Sequence, residues 1–393
     1  MIGESRERVV LLGRTNFRGR RRLFGIQDSD RFHHTYLIGK TGTGKSTLLE
    51  SMIRQDIEDG AGVALLDPHG DLAARAAQFA EMTRPTDLIY FNVPDAAAPL
   101  GFNPLAFVPP AKRPLHASGM LLAFRKLWPD SWGPRLEHIL RNALLLLLDQ
   151  PEATLSDVLR LLDDEEFRRR AAERTANPQV RRFWLHEFEG YTKTLRAEAV
   201  APIQNKVGAF LSDPVLQRIL TQRGTALDVR RVMDRGKILL VNLSKGRLGE
   251  DTSSLLGSLL VSAIGQSALA RADTLEVLRR PFYLYLDEFQ TFTTLALAGM
   301  LSELRKYRVG LVLAHQYLAQ VEEPVRDAVL GNVGTMIVFR VGPDDAEVLE
   351  REFEPVFAAS DLVALPNYSV YVRLMVDGKT TTPFSAETLS LWR

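Results

Sequence analysis

The sequence predicts an α/β fold built on a mostly parallel central sheet, with an all-helical domain inserted into it. Short apolar runs without polar alternation recur in both halves of the chain, as expected of strands buried on both faces. These runs occupy residues 36–38, 63–66, 88–91, 238–241, 282–286, 311–314 and 336–339. Between about residues 112 and 225 they disappear. We therefore expect an N-terminal α/β part over residues 1–111, an inserted helical domain over 112–225, and a C-terminal α/β part over 226–393.

The first predicted strand is followed by a glycine-rich turn and then by a helix. The residues after the turn that share one helical face are Leu48, Leu49, Met52, Ile53 and Ile57. A strand, a turn and a helix in this order form the basic unit of an α/β domain. Inside the insertion, the apolar residues at helical spacing are Leu136, Ile139, Leu140, Ala143 and Leu144, and then Leu155, Val158, Leu159 and Leu162. Both stripes predict amphipathic helices.

Composition excludes several kinds of protein. The 393 residues contain 49 Lys and Arg against 48 Asp and Glu, so the net charge is +1 and any nucleic-acid contact must use locally concentrated charge. Cysteine is absent, which excludes disulfides, thiolate zinc sites and a cysteine nucleophile. The longest apolar run, 143–148, is far shorter than the roughly 18 residues of a membrane span. The sequence therefore predicts a cytoplasmic protein.

The glycine-rich turn matches the phosphate-binding motif G-x-x-x-x-G-K-[ST], between a predicted strand and a predicted helix as that motif requires. Its glycines let backbone N–H groups point at phosphate oxygens, and the helix N-terminus adds positive charge. We expect Lys45 to bridge the β and γ phosphates of ATP, and Ser46 to ligate Mg²⁺. The predicted nucleotide-binding residues are Gly39, Lys40, Thr41, Gly42, Thr43, Gly44, Lys45, Ser46 and Thr47.

The apolar strand 282–286 ends in two acids, the form of a Walker B motif. Asp287 is placed to hold Mg²⁺, and Glu288 to take a proton from the attacking water. A second acid directly after the metal-binding acid favours hydrolysis over a GTPase-type switch, in which a Gln orients the water. Without the phosphate-binding motif, the same pattern is equally typical of a strand that runs into a surface turn.

Other polar residues follow predicted strands. Gln316, after the strand 311–314, is placed to contact the γ phosphate, although a solvated loop Gln has the same pattern. Asp67 and Asp71 follow the second strand, where either ligand binding or a Pro-Gly turn accounts for them. His33 and His34 are expected to be a solvated pair. The seven His show no metal-binding spacing, so Mg²⁺ is the metal we expect.

These motifs resemble the HerA/FtsK superfamily of RecA-like ring motors and, within it, the TraG/TraD-like conjugative coupling ATPases of type IV secretion. The segments that carry the resemblance are IGKTGTGKSTLL at 38–49, LLDPHGD at 65–71, YLDEFQTF at 285–292, LRKYRVGLVLAHQ at 304–316 and GNVGT at 331–335. The resemblance implies a RecA-like P-loop ATPase domain that forms a homo-hexamer, with ATP between subunits and DNA in a central pore. It also implies that Arg305 is an arginine finger for the neighbouring subunit, with Arg340 as the competing candidate.

The resemblance implies an ATP-hydrolysing DNA translocase whose helical insertion recognises the substrate, with a relaxase or other transfer proteins as further partners. Coupling proteins generally carry an N-terminal membrane segment, which the sequence lacks, so any recruitment to the inner membrane would depend on partners. The alternatives are a HerA-like duplex motor of repair or phage defence, a secretion ATPase that moves protein, and a nucleotide-gated scaffold.

Two basic clusters are candidates for contacts with the DNA backbone. They consist of Arg14, Arg18, Arg20, Arg21 and Arg22, and of Arg168, Arg169, Arg170, Arg181 and Arg182. An exposed face balanced by the acids of 163–166 is the alternative for the second cluster.

Overall fold

A computed structural model describes residues 7–95, 100–106, 108–223 and 227–389. The chain divides into two compact units. The sheet unit comprises Met1–Tyr90, Arg230–Leu243 and Arg271–Arg393, and the helical unit comprises Phe91–Val229 and Ser244–Ala270. The helical unit is therefore larger than the insertion predicted over 112–225. The predicted boundary at 225/226 lies outside the described residues.

The strands, in chain order, are β1 Val9–Thr15, β2 Leu23–Gln27, β3 Thr35–Ile38, β4 Gly62–Asp67, β5 Leu88–Asn92, β6 Ile238–Asn242, β7 Phe282–Leu286, β8 Val309–His315, β9 Thr335–Val338, β10 Ser369–Arg373, β11 Met375–Val376, β12 Lys379–Thr380 and β13 Phe384–Thr388. Eleven of them form one sheet in the order β2-β1-β13-β10-β9-β3-β8-β7-β4-β6-β5. Every apolar run that predicted a strand forms one, and the predicted α/β class is confirmed.

The strands at the centre of the sheet are parallel, and the strands beyond β9 are antiparallel. Strands β9, β3, β8, β7, β4 and β6 pair in parallel with their neighbours. Strands β10, β13, β1 and β2 continue the sheet beyond β9 with antiparallel pairing. The carboxyl ends of β3, β4, β7 and β8 therefore lie together at one edge of the sheet, where ligands gather in open α/β folds.

The α-helices, in chain order, are α1 Asp28–Arg31, α2 Lys45–Glu58, α3 Asp71–Thr83, α4 Arg113–Leu127, α5 Pro134–Leu148, α6 Ser156–Asp163, α7 Glu165–Arg174, α8 Pro178–Arg182, α9 Lys193–Ser212, α10 Pro214–Leu220, α11 Val229–Asp234, α12 Lys245–Leu248, α13 Glu250–Ala270, α14 Ala296–Glu303, α15 Glu323–Asn332, α16 Pro343–Phe353 and α17 Ala359–Ala364. In the sheet unit, α2 and α3 contribute Leu49, Met52, Ile53 and Ala76 to one apolar core with β3 and β4.

Helix α13 is the longest α-helix among the described residues and belongs to the helical unit. It packs along α4, and the crossing is close: a Cβ atom on Gly119 would lie 2.3 Å from the Ser262 hydroxyl oxygen. By length and composition, the segment Glu250–Asp273 could cross a membrane, in contrast to the sequence expectation. Because 78% of its apolar 18-residue window is buried inside the protein, it has the character of a core helix.

Candidate nucleotide site

The phosphate-binding motif forms the turn between β3 and α2. Gly44 has a φ of +119°, and a Cβ atom there would lie 2.8 Å from the Tyr368 ring. At Gly39, a Cβ atom would lie 2.5 Å from Cβ of Phe339, the residue that follows β9. Gly44 therefore requires glycine for conformation and for space, and Gly39 requires it for space. The intervening residues are Lys40, Thr41 and Gly42, which are exposed, and Thr43, which is buried.

Lys45 begins α2 and is buried beneath the turn. Its ammonium donates to the carbonyls of Gly39, at 2.5 Å, and Lys40, at 3.2 Å. Burial lowers the pKa of Lys45, while the nearby Glu288 and Asp287 carboxylates act in the opposite direction. The side chain therefore places a cation between the turn and the acids that follow β7.

Asp287 follows β7 directly and is 4% exposed. Burial, followed by the Asp67 and Glu288 carboxylates, raises the pKa of Asp287 to about 7, although Lys45 lowers it. The Asp67 and Glu288 carboxylates therefore act on Asp287, and the Lys45 ammonium lies near Asp287 and Glu288. A cluster of this composition favours the binding of an additional cation.

Glu288 connects to the phosphate-binding turn through Gln316. The Gln316 amide nitrogen donates to Oε1 of Glu288 at 2.9 Å, and the Thr41 hydroxyl donates to the Gln316 amide oxygen at 2.9 Å. The other carboxylate oxygen of Glu288 accepts a 2.8 Å bond from Gln290, a residue the sequence analysis did not single out. The backbone of Glu288 is left-handed, with φ +47°. Such a conformation is uncommon outside glycine and concentrates at functional sites.

The turn that carries Gln316 is itself held by side chains. Oε1 of Gln320 accepts from the backbone N–H groups of Gln316, at 3.3 Å, and Tyr317, at 3.2 Å. The next N–H group, that of Leu318, donates to Asp345 at 3.0 Å. These bonds fix the loop after β8 and therefore the direction of the Gln316 amide.

Among the open candidates, Asp67 has a structural function. One of its carboxylate oxygens accepts from the N–H of His69 at 2.8 Å, and the other from the N–H of Ala73 at 2.9 Å, so it fixes the start of α3. Asp71 is exposed in the first turn of that helix. The expected solvation of His34 is wrong: the side chain is 1% exposed, accepting from Leu311 N–H and bonding the Leu301 carbonyl.

The two candidate arginine fingers have different surroundings. Arg305 is exposed in the turn after α14, where it lines a cavity of about 700 Å³ and lies 3.4 Å from His33. Arg340 donates to the Leu365 carbonyl at 3.0 Å and to the Asn367 side chain at 2.8 Å. Arg340 is thus bound to residues of its own chain, whereas Arg305 is exposed.

The two basic clusters differ in exposure and in ion pairing. Arg168 is 2% exposed and pairs with Glu189, and Arg170 pairs with Glu166 at 3.1 Å, so part of the second cluster is internal or balanced by acids. All five arginines of the first cluster are exposed: Arg14, Arg18, Arg20, Arg21 and Arg22.

A buried ionic network between α1, α2 and β7 was not predicted. Arg31, 2% exposed, donates to both carboxylate oxygens of Asp56, at 2.6 and 2.8 Å. Tyr285 donates to the same carboxylate at 2.5 Å, and the Arg31 guanidinium lies 3.5 Å from the centre of the Tyr283 ring. Because Asp56 belongs to α2 and both tyrosines to β7, the network connects the helix that begins at Lys45 with the strand that directly precedes Asp287.

The residues present suit a magnesium ion held partly by nucleotide. In the part of the chain that the structure describes, no group of three or more His, Asp or Glu could hold a metal ion by itself. Ser46, exposed in the first turn of α2, and Asp287 offer a hydroxyl and a carboxylate oxygen. Mg²⁺ prefers oxygen ligands and, in nucleotide sites, uses one or two protein groups together with phosphates and waters. The small donor set therefore fits Mg²⁺.

Two family models match the chain. The helicase HerA central domain matches residues 28–127, which include the phosphate-binding turn. The model described as the TraM recognition site of TraD and TraG matches residues 281–351, which include both acids after β7 and Gln316. The fold and these motifs together resemble P-loop ATPases of the HerA/FtsK type, which have a RecA-like sheet. A sequence search among curated proteins finds no significant match.

Solved structures share the fold of this chain over most of its length. The bacterial conjugative coupling protein TrwBdeltaN70 matches with a TM-score of 0.64 at 15% identity, over 97% of this chain and 89% of that one. TrwB in complex with ADP and Mg²⁺ matches with a TM-score of 0.64 at 16% identity, over 96% of this chain and 89% of that one. VirB4 of Thermoanaerobacter pseudethanolicus matches with a TM-score of 0.62 at 16% identity, over 98% of this chain and 97% of that one. At these identities, the matches establish a shared fold.

Proposed function

We propose that the chain is an ATP-hydrolysing motor of the conjugative coupling type, which moves DNA through a homo-hexameric ring. The observation that carries the proposal is the connection from Thr41 in the phosphate-binding turn through Gln316 to Glu288, beside Lys45 and Asp287. Hydrolysis of ATP requires a group that binds phosphate, an acid that binds the metal and a base that activates water. This site offers all three, together with an amide that contacts both the phosphate-binding turn and the base. The ADP and Mg²⁺ in the TrwB structure support the choice of ligands.

Each residue has a distinct task in this proposal. Lys45 and the backbone N–H groups of the turn bind the phosphates, and Ser46 and Asp287 hold Mg²⁺. When bound, Mg²⁺ neutralises charge on the phosphates. Glu288 accepts the proton of the attacking water. Gln316 keeps that carboxylate oriented and reports the state of the turn.

Arg305 completes the site of the neighbouring subunit. Its exposure allows contact with another copy, whereas Arg340 is bound to Leu365 and Asn367 of its own chain. An arginine finger supplied in trans stabilises transition-state charge and accelerates phosphoryl transfer by roughly 10³- to 10⁵-fold. Hydrolysis would then depend on assembly, as a ring motor requires.

The partners follow from the matched families. The model over 281–351 is described as a TraM recognition site, so we propose a protein of the DNA-processing complex as one partner. A relaxase is a further candidate, and the helical unit would recognise the substrate. The HerA match favours a duplex motor of repair or phage defence as the second candidate.

The test is the ATPase rate measured with single-stranded DNA, with duplex DNA and without DNA, beside the mass of the assembly. Lys45→Ala should lose nucleotide binding, and Glu288→Gln should keep binding but lose turnover by about 10²- to 10⁴-fold. Exposed Lys379→Ala and Glu347→Gln are the matched controls and should behave as wild type. Near-normal turnover in either site variant would refute the site.

The dependence on DNA separates the candidates. Stimulation by single-stranded DNA supports the coupling-type motor, whereas stimulation by duplex DNA alone supports the HerA-like motor. A well-formed ring that no nucleic acid stimulates would contradict both, and would favour a protein-moving ATPase or a nucleotide-gated scaffold.

A further inference from the structure

The hairpin formed by β1 and β2 ends in a strongly basic turn. Between Val9 and Gln27 the sequence contains five arginines and no acid. All five are exposed: Arg14, Arg18, Arg20, Arg21 and Arg22. Because β2 is the last strand at its end of the sheet, the turn lies at the border of the sheet unit.

The turn is held in one conformation. The hydroxyl of Thr15 donates to the Arg20 carbonyl at 2.7 Å and accepts from the N–H of Arg22 at 3.2 Å. The ring of Phe17 packs edge-on against Phe357, with 5.8 Å between ring centres. The arginines therefore extend from a fixed support, which lowers the entropy lost when they bind a partner.

The positive charge of the turn is not neutralised internally. Throughout the described ranges, no carboxylate forms an ion pair with any of the five guanidinium groups. Glu387 of β13 lies directly opposite Arg14 of β1 in the strand pairing. Its carboxylate is nevertheless not within ion-pair distance of the Arg14 guanidinium. Five exposed, unpaired arginines attract an anionic partner.

The same hairpin also presents aliphatic side chains to solvent. Val9, Leu11 and Leu23 are 42%, 37% and 53% exposed. Arg14 pairs with Leu23 and Leu11 with Gly25, after a bulge between Leu11 and Gly13, so these side chains and Arg14 share one face. The hairpin therefore combines fixed positive charge with exposed hydrocarbon.

We propose that this basic hairpin docks the protein directly on an anionic membrane surface. Arginines would bind lipid phosphates, and the aliphatic side chains would enter the boundary between head groups and acyl chains. Nucleic acid would also bind the arginines, but it leaves aliphatic side chains in water and commonly gains affinity by stacking bases on aromatic rings. Phe17, the aromatic residue of the turn, packs edge-on against Phe357, and the Arg18 guanidinium lies over its ring, 4.9 Å from the ring centre, so that face is already occupied.

The proposal does not rest on ATP hydrolysis, and binding to vesicles tests it with the full chain in the absence of nucleotide. Flotation with vesicles of phosphatidylglycerol and phosphatidylcholine is compared with flotation on phosphatidylcholine alone. The charge variant is Arg20→Gln, Arg21→Gln, Arg22→Gln. Its matched control is Arg169→Gln, Arg170→Gln, Arg174→Gln, which removes three exposed arginines of α7 in the helical unit.

The wild type should bind the anionic vesicles and not the neutral ones. Since each arginine near an anionic surface contributes about fivefold in affinity, the charge variant should bind about a hundredfold more weakly. The control should bind as wild type, and both should keep the wild-type thermal midpoint. Leu23→Ser should weaken vesicle binding while leaving duplex DNA binding unchanged.

Three results would overturn the proposal. The first is wild type that does not float with anionic vesicles. The second is an equal loss of vesicle binding in the charge variant and in its control, which would show a general effect of net charge. The third is a charge variant that loses DNA binding while Leu23→Ser binds vesicles as wild type, which would make the hairpin a nucleic-acid surface.

Discussion

Replacing Gln316 with Leu removes the amide that joins the phosphate-binding turn to the base. The amide accepts from Thr41 and donates to the Glu288 carboxylate, with both distances 2.9 Å. A hydrogen bond to a charged group contributes roughly 1.5–3 kcal/mol. If that bond orients Glu288 in the transition state, its loss lowers kcat by about 10- to 150-fold. Nucleotide affinity should change little, because Lys45 and the backbone of the turn remain.

A double-mutant cycle with Thr41 tests the connection itself. Thr41→Val removes a neutral hydrogen bond worth roughly 0.5–1.5 kcal/mol, so kcat should fall by about 2- to 10-fold. The double variant should be no slower than Gln316→Leu alone, because the hydroxyl acts through that amide. Thr41→Ser retains the hydroxyl and serves as the control. Steady-state ATPase rates and nucleotide titrations measure both quantities. Fully multiplicative effects, or normal turnover in Gln316→Leu, would refute the reasoning.

Three further predictions concern stability and assembly. Asp56→Asn should lower the free energy of unfolding by about 3–5 kcal/mol in urea titrations, because Arg31 and Arg8 lose their shared buried carboxylate and only the partly exposed Asp28, 3.6 Å away, remains beside Arg31; a wild-type midpoint would contradict this. Arg305→Ala should be inactive alone and should inhibit wild type in mixed assemblies beyond simple dilution, whereas Arg340→Ala should not inhibit wild type. Burial lowers the pKa of His34 to about 4, so the unfolded chain takes up the proton first as pH falls. About 3 kcal/mol of stability should therefore be lost between pH 6.5 and 4, and unfolding of His34→Gln should lack that pH dependence.

The parallel core and the polar groups at its edge could be predicted from sequence because both leave local signals. Strands buried on both faces are apolar throughout, and the phosphate-binding turn has fixed spacing between a strand and a helix. The position of Gln316 after β8 predicted a contact with the γ phosphate, which stays a prediction, while the structure shows its amide bonded to Glu288. Its bonds to Glu288 and Thr41 depend on loop geometry that the pattern does not contain.

The antiparallel side of the sheet left a weaker signal. In β10, half-buried and buried residues alternate from Ser369 to Arg373, so no continuous apolar run marks the strand. Strands β1 and β13, which are far apart in the sequence, pair there. Sequence patterns carry no information about such distant partners, so this part of the sheet was missed.

The packing of helix α13 and the buried Arg31–Asp56 ion pair could not be predicted from local sequence patterns either. Most residues of the helix are buried, its serines included, and the unit it packs into depends on close contacts such as that of Gly119 with Ser262. Arg31 and Asp56 are 25 residues apart and looked like ordinary surface charges in the sequence. The polar ends of Tyr283 and Tyr285 within a buried strand were the available hint, since buried tyrosine hydroxyls need partners.

The most direct test of the central claim is the ATPase rate of the assembled wild type with and without single-stranded DNA, measured beside the Glu288→Gln variant. We expect a ring whose hydrolysis rises with single-stranded DNA, and a variant that binds nucleotide and forms the same ring but does not hydrolyse ATP. A wild-type ring whose rate is the same with and without every nucleic acid, or a Glu288→Gln variant with normal turnover, would contradict the account.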